Sequence, residues 1–152
     1  MKILVDADAC PVKGIIVNVA KEYGIPVMMF IDTSHILNDD YSEVIVVDKA
    51  RDSVDIALVN RVKSGDIVVT QDYGLAAMVL AKGAVAINQN GLIYSKDNID
   101  RLLFERHLSQ KIRRDGGKAS YIGKRLKEYD EKFEKTLRRL CSDEVIDDNG
   151  KI

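Results

Sequence analysis

The chain has 152 residues, 46% hydrophobic and 31% charged, enough for one well-buried core and too few for two ordinary domains. No uncharged apolar stretch approaches the length of a membrane span, and residues 1–6 enter a strand directly without a signal-peptide layout, so a cytoplasmic protein is expected. Cys10 and Cys141 stand at opposite ends of the chain with no ligand-like spacing to each other or to His35 and His107, which argues against a zinc site or a disulfide framework.

A formal net charge of -1 conceals an asymmetry. Residues 101–139 hold 13 Lys or Arg against 6 Asp or Glu, an excess of +7 that leaves -8 on the rest. An acidic portion suited to cations is thus joined to a basic portion suited to a phosphate backbone. Two amphipathic helices with solvated charged faces would account for the same bias.

Apolar runs alternate with helical patterns from residue 2 to residue 88, the signature of a parallel α/β fold built from right-handed crossovers. Residues 2–5 read as a short, fully buried strand. Pro11 suits the first turn of a helix that runs to Tyr23 and stops at Gly24, with Ile15, Ile16, Val19, Ala20 and Tyr23 on its inner face. Strands are expected at 26–31, 44–47 and 67–70. Between the last two the spacing predicts a helix over 53–63 with Val54, Ala57, Leu58 and Val62 inward. A helix over 73–82, closed by Gly83, leads to a fifth strand at 84–87 and a turn at Asn88-Gln89-Asn90-Gly91. Beyond it come a short strand at 92–94, a basic helix over 99–113, a break at Asp115-Gly116-Gly117 and a last helix over 124–140. One domain is expected over 1–146, with its basic helical extension starting near residue 98 and a frayed tail over 147–152.

Acidic residues close the apolar runs: Asp6 and Asp8 after the first strand, Asp48 after the third, Asp52 and Asp55 around a helix start, and Asp72 after the fourth. In a parallel sheet the carboxyl ends of the strands share one edge, so acids far apart in sequence gather in one crevice there. Clustered carboxylates repel one another unless a cation lies between them, which points to a hard divalent ion, Mg²⁺ or Mn²⁺. Alternation places Asp6 and Asp8 toward one face if strand geometry persists that far, and Thr70 and Asp72 likewise. Thr70 would then present a hydroxyl to a substrate, and the helix that follows would offer free N–H groups to a phosphate oxygen.

Each acid has a structural alternative. Asp8 suits the N-cap of the helix near Pro11, and Asp52 the N-cap of the helix that contains Asp55, whose own charge would complement the dipole. Asp66 reads as a turn residue. Cys10 reads as a small packed residue, because the neighbouring carboxylates oppose a reactive thiolate and no His is near in sequence. His35 and His107 read as surface residues or caps.

The string Val5-Asp6-Ala7-Asp8-Ala9-Cys10-Pro11-Val12 resembles the opening motif of the bacterial YaiI/YqxD family. The resemblance continues through Asp52-Ser53-Val54-Asp55, Gly65-Asp66-Ile67-Val68-Val69-Thr70-Gln71-Asp72, Leu75-Ala76-Ala77 and Lys82-Gly83-Ala84. That family looks like a branch of the PIN-like nuclease superfamily. The resemblance implies a three-layer PIN-like α/β fold with a central, mainly parallel sheet of five strands and a C-terminal helical extension. It also implies Asp6, Asp55 and Asp72 as the catalytic, metal-holding acids, with Asp8 and Asp52 as accessory metal ligands. The chain departs from the family where a Gly-Gly-Pro segment is expected after the basic helix, having Ile122-Gly123-Lys124 instead.

The first expectation is therefore a nuclease-like protein that uses Mg²⁺ or Mn²⁺ on RNA, with the basic segment holding the backbone through Arg106, Lys111, Arg113, Arg114 and Lys118. Phe104, Tyr121, Tyr129 and Phe133 are the aromatic stacking candidates there. Two alternatives stand beside it. One is an RNA-binding or regulatory module without turnover. The other is a phosphatase of the haloacid dehalogenase type, which Val5-Asp6-Ala7-Asp8 also resembles, with Asp6 as nucleophile and Asp8 as acid. Cys10 replaces the Thr or Ser that this last family needs, and its late paired-acid motif is not evident.

Overall fold

The computed structural model describes residues 1–32, 39–48, 53–114 and 125–142. Of the expected features, His35, Asp52, the Asp115-Gly116-Gly117 break, Lys118, Tyr121, Ile122-Gly123-Lys124 and the tail lie outside these residues, as do the side chains of Arg113 and Arg114.

Five strands form one all-parallel sheet: β1 (Ile3–Asp6), β2 (Val27–Asp32), β3 (Glu43–Val47), β4 (Ile67–Val69) and β5 (Val85–Ile87), in the order β3-β2-β1-β4-β5. β1 lies at the centre because it can be buried on both faces. Ile3, Leu4 and Val5 are all fully buried, and Ile3 pairs with Val27 on one side and Ile67 on the other.

Helices cover both faces of the sheet. α1 (Lys13–Tyr23) and α5 (Lys127–Cys141) pack over Ile3, Val5, Met29 and Val69 through Ile16, Val19, Phe133 and Leu137. α2 (Val54–Val59), α3 (Tyr73–Ala81) and the start of α4 (Lys96–Arg114) pack over Leu4, Phe30 and Val68 through Leu58, Leu75, Val79 and Ile99. The alternating side chains of the strands thus feed two separate cores. The three layers follow from the order of the strands. The chain builds β1, β2 and β3 in one direction, then returns past β1 to build β4 and β5 in the other. Right-handed crossovers made in opposite directions put their helices on opposite faces.

Local chemistry moves several element ends. Helix α1 begins at Lys13 rather than Pro11, with Val12 at its N-cap and no side-chain cap, so Asp8 does not cap it. Its C-terminus is closed as expected by Gly24 at φ 65°, whose N–H reaches Ala20 and Lys21. Tyr23 points outward, 39% exposed, against the expectation of an inner position. Helix α2 is shorter than expected, yet Val62 past its end is still buried. Its cap is Ser53, whose Oγ accepts from Ile56 N at 3.1 Å, the role considered for Asp52.

Residues 92–94 supply only an isolated antiparallel bridge, Ile93 to Ile87. Helix α4 starts early because Ser95 and Asn98 cap each other reciprocally, at 3.1 and 2.8 Å. Helix α5 lies close against the 88–91 turn. Gly91, at φ 84°, has no room for a Cβ, which would stand 2.9 Å from the Lys132 carbonyl oxygen.

Candidate functional site

The direction of strand growth reverses between β1 and β4, so no crossover covers the carboxyl ends of these two neighbours. Asp6 is the last residue of β1, two residues after Leu4 and therefore on the α2–α3–α4 face. Thr70 and Asp72 follow β4. The Thr70 Oγ1 donates to Asp6 Oδ2 at 3.0 Å and accepts from Asp72 N at 3.0 Å. One hydroxyl thus sets the position of both acids. Thr70 is only 2% exposed, and its carbonyl accepts from the buried Tyr94 hydroxyl at 3.1 Å. Its hydroxyl, expected to face a substrate, is engaged with the two acids and sets their positions.

Asp72 is the N-cap of α3. Its Oδ1 accepts from Gly74 N at 2.9 Å and Leu75 N at 3.2 Å. The amides expected to receive a phosphate oxygen are therefore already occupied, and the helix start holds its own carboxylate instead. The cap also fixes that carboxylate and leaves its second oxygen for other partners.

Asp55, in the first turn of α2, completes the group. Burial, the Asp72 charge, a hydrogen bond to the Asp72 carboxylate and the Asp6 charge together push its carboxyl up to about 6. Below about pH 6 a shared proton joins Asp55 to Asp72, and above it the two charges repel. Asp6 is also raised, chiefly by burial and then by Asp72 and Asp8, although the Thr70 hydroxyl opposes the shift. Three acids from β1, the start of α2 and the start of α3 therefore act on one another electrostatically. Among the described residues, however, no three His, Cys, Asp or Glu side chains are spaced to hold one ion as they stand.

Asp8 lies past the end of β1, where Ala9 turns the chain at φ 56°, and its Oδ2 accepts from Asp32 N at 3.2 Å. It ties the loop to β2, and its charge acts on Asp6. Asp48 follows the edge strand β3 and is exposed. Asp66 is no simple turn residue: buried to 4% exposure, it takes the Lys2 ammonium at 2.6 Å, Lys2 N at 3.1 Å and Lys63 N at 2.9 Å. Burial pushes Cys10 above the ordinary thiol range, in keeping with a packed residue.

The basic segment divides. Helix α4 runs beside the acids, and a crevice of about 670 Å³ separates them, lined by Asp6, Gln71 and Asp72 on one side and by Leu102, Glu105 and Arg106 on the other. Lys111 lies farther along α4 and is exposed. Helix α5 instead packs against α1 on the opposite face. Its Arg138 pairs with Glu22 and Glu134, and Arg125 just before it bonds Asp130 at 2.6 Å and the Asn90 side chain at 2.8 Å. Of the aromatic candidates, Phe133 is fully buried in the core, Tyr129 lies under the Arg125 guanidinium, and Phe104 is 66% exposed. Sequence reasoning missed Glu105 and Tyr94 at the site, which stand outside the acidic motifs, and passed over Gln71, which lies between Thr70 and Asp72 but carries no charge.

No helix among the described residues is long and apolar enough to cross a membrane. A crystal structure of Rae1 (YacP) from Bacillus subtilis superposes with a TM-score of 0.42 at 15% identity, over 93% of this chain and 98% of that one, a likeness too loose to assign a fold. The chain is 74% identical over 137 residues to a UPF0178 protein of Ruminiclostridium cellulolyticum, covering 90% of each. It is 54% identical over 152 residues to one from Clostridium kluyveri (100% of this chain, 96% of the relative) and 53% over 150 residues to one from Alkaliphilus oremlandii (99% and 97%). Residues 4–143 match the family described as "Uncharacterized BCR, YaiI/YqxD family", and the chain belongs to that family.

Proposed function

We propose that this protein is a nuclease-like phosphodiesterase that acts on RNA and depends on Mg²⁺ or Mn²⁺ held by Asp6, Asp55 and Asp72. The observation that carries this reading is that three acids from separate elements, Asp6, Asp55 and Asp72, lie close enough to raise the Asp55 carboxyl against the other two. Repulsion of that kind is relieved by a cation, and an all-carboxylate donor set suits a hard divalent one. A small movement of side chains is needed to turn the present spacing into a coordination shell, and the second oxygen of Asp72 is available for it. When bound, the ion supplies Lewis-acid polarisation of a phosphate and a water acidified toward neutrality.

The residues divide the rest of the work. Thr70 and the α3 cap hold Asp6 and Asp72 at fixed positions, so the acids lose little freedom when a substrate arrives. Arg106 across the crevice supplies the positive charge for a backbone phosphate, and Glu105 beside it keeps that wall from being uniformly basic. Asp8 and Asp52 serve as accessory acids in this reading.

Asp72→Asn is the test that isolates chemistry from folding, because Asn caps helices about as well as Asp. Wild-type protein should cleave single-stranded RNA in Mn²⁺, and the variant should lose roughly 100-fold in rate with a melting temperature no lower than that of wild type. RNA binding with no cleavage by the wild type would replace the enzyme by a binding module. Phosphate trapped covalently on Asp6 would assign the phosphatase chemistry, although Asp8 accepts a backbone hydrogen bond where that chemistry needs an acid.

A further inference from the structure

We infer that a second cavity, on the other side of Asp6 from the α4 crevice, is a nucleobase subsite that gives the protein a base preference next to the reacting phosphate; this rests on the nuclease reading. The cavity measures about 510 Å³, within the usual range of small-ligand sites. It shares Asp6 and Gln71 with the α4 crevice, so the two depressions meet at the acids.

Their linings differ in a way that sorts the parts of a nucleotide. The α4 crevice contains Arg106 and takes the charged backbone. The second cavity has Ala9, Cys10 and Val69 as apolar walls beside Thr70, and among the described residues no Lys or Arg lines it, while Asp6 and Asp8 in its lining repel a phosphate. A neutral, flat group with a polar edge fits those walls, and in RNA that group is the base. Two amide side chains are placed to read its edge, Gln71 and Gln89. Each offers both a donor and an acceptor, and among the described residues neither has a protein hydrogen bond.

Gln89 is held in place from behind. Arg125 donates to the Gln89 carbonyl and to the Asn90 side chain, so the 88–91 turn is anchored to the start of α5 while the Gln89 side chain lines the cavity. The site is therefore built by three separate parts of the chain: the loop after β1, the loop after β4 and the turn after β5.

The test uses the full-length protein with short single-stranded RNAs that differ at one nucleotide, in Ca²⁺ for equilibrium binding and in Mn²⁺ for cleavage. Wild type should discriminate among the four bases at one position by about tenfold in affinity, and an abasic nucleotide there should bind about as poorly as the worst base. Gln89→Ala should level the preference, with melting temperature unchanged because among the described residues the side chain has no hydrogen-bond partner to lose. Equal affinity for all four bases and the abasic RNA at every position would overturn the subsite, as would a preference that Gln89→Ala leaves intact. The nuclease reading is tested separately: base-selective binding without Mn²⁺-dependent cleavage keeps the subsite and removes the enzyme, whereas cleavage indifferent to base does the reverse.

Discussion

Asp55 and Asp66 are both acids near a strand or helix end, yet their environments push them in opposite directions. The Asp55 carboxyl rises from 3.8 to about 6, so the folded protein binds a proton there more tightly than the unfolded chain does. Stability of the metal-free protein should therefore fall as pH rises from about 4 to about 6, with the full penalty present above that window. Asp55→Asn removes the repulsion, and should raise the melting temperature of metal-free protein at pH 7 by a few degrees, on the order of the 1 kcal/mol scale of such effects. The same variant should flatten the pH dependence and lack the rise in melting temperature that the proposed metal site predicts for wild type in millimolar Mn²⁺. Thermal melts between pH 4.5 and 7.5, with and without Mn²⁺, check all three.

Asp66 carries the contrary sign. Burial alone would raise its carboxyl, but the Lys2 ammonium and the amides of Lys63 and Lys2 outweigh burial and hold it below 3.8. Its contribution is present above the unfolded value near 3.8 and is lost as pH falls through the lower folded value. Asp66→Ala leaves a part-buried ammonium and two amides without their acceptor, and should cost about 3 kcal/mol in urea unfolding at pH 7. The loss should shrink in acid. The sequence shows Gly65-Asp66 as a turn and conceals this role, because the partner Lys2 is 64 residues away.

At the scale of elements, the basic segment is where sequence and structure diverge most. Charge counting joins residues 101–139 into one block, whereas the fold places α4 beside the acids and α5 on the far face against α1. Helix α5 has Phe133, Leu137, Leu140 and Cys141 on one side, a spacing that buries that side, and its Arg138 is engaged in ion pairs. The salt dependence of RNA binding should follow this division. Arg106→Ala with Lys111→Ala should weaken binding to single-stranded RNA for all sequences and reduce the slope of log K against log salt by up to about 1.4, or 0.7 per phosphate contact. Lys132→Ala with Lys135→Ala on α5 should leave both affinity and slope unchanged. Titrations at several salt concentrations distinguish these outcomes, and equal effects from the two pairs would restore the undivided basic surface.

Capping shows the same limit on a smaller scale. Asp52 and Asp8 have the right chemistry for caps, but Ser53 caps α2 and α1 has no side-chain cap. Asp72, chosen for the site, is both a cap and a member of the acidic group. Residue type identifies which side chains are able to cap. Which of them does so depends on where the helix is pinned by burial.

Across the whole molecule, the sequence by itself determined the parallel α/β class, the five strands within a residue or two, the acids at their carboxyl ends and membership of the YaiI/YqxD family. These are legible because the periods of strand and helix, and the turns between them, are written in neighbouring residues. Only the tertiary structure decided that β4 returns to pair with β1, which opens the crevice lined by Asp6 and Asp72 and brings Asp55 within electrostatic reach of both. The same return brings Lys2 to Asp66 and buries Thr70 between two acids. It also decided that one basic helix faces the acids and the other does not. Strand order and helix face are settled by which buried surfaces complement one another across the chain, and that balance of non-local burial has no local pattern to announce it.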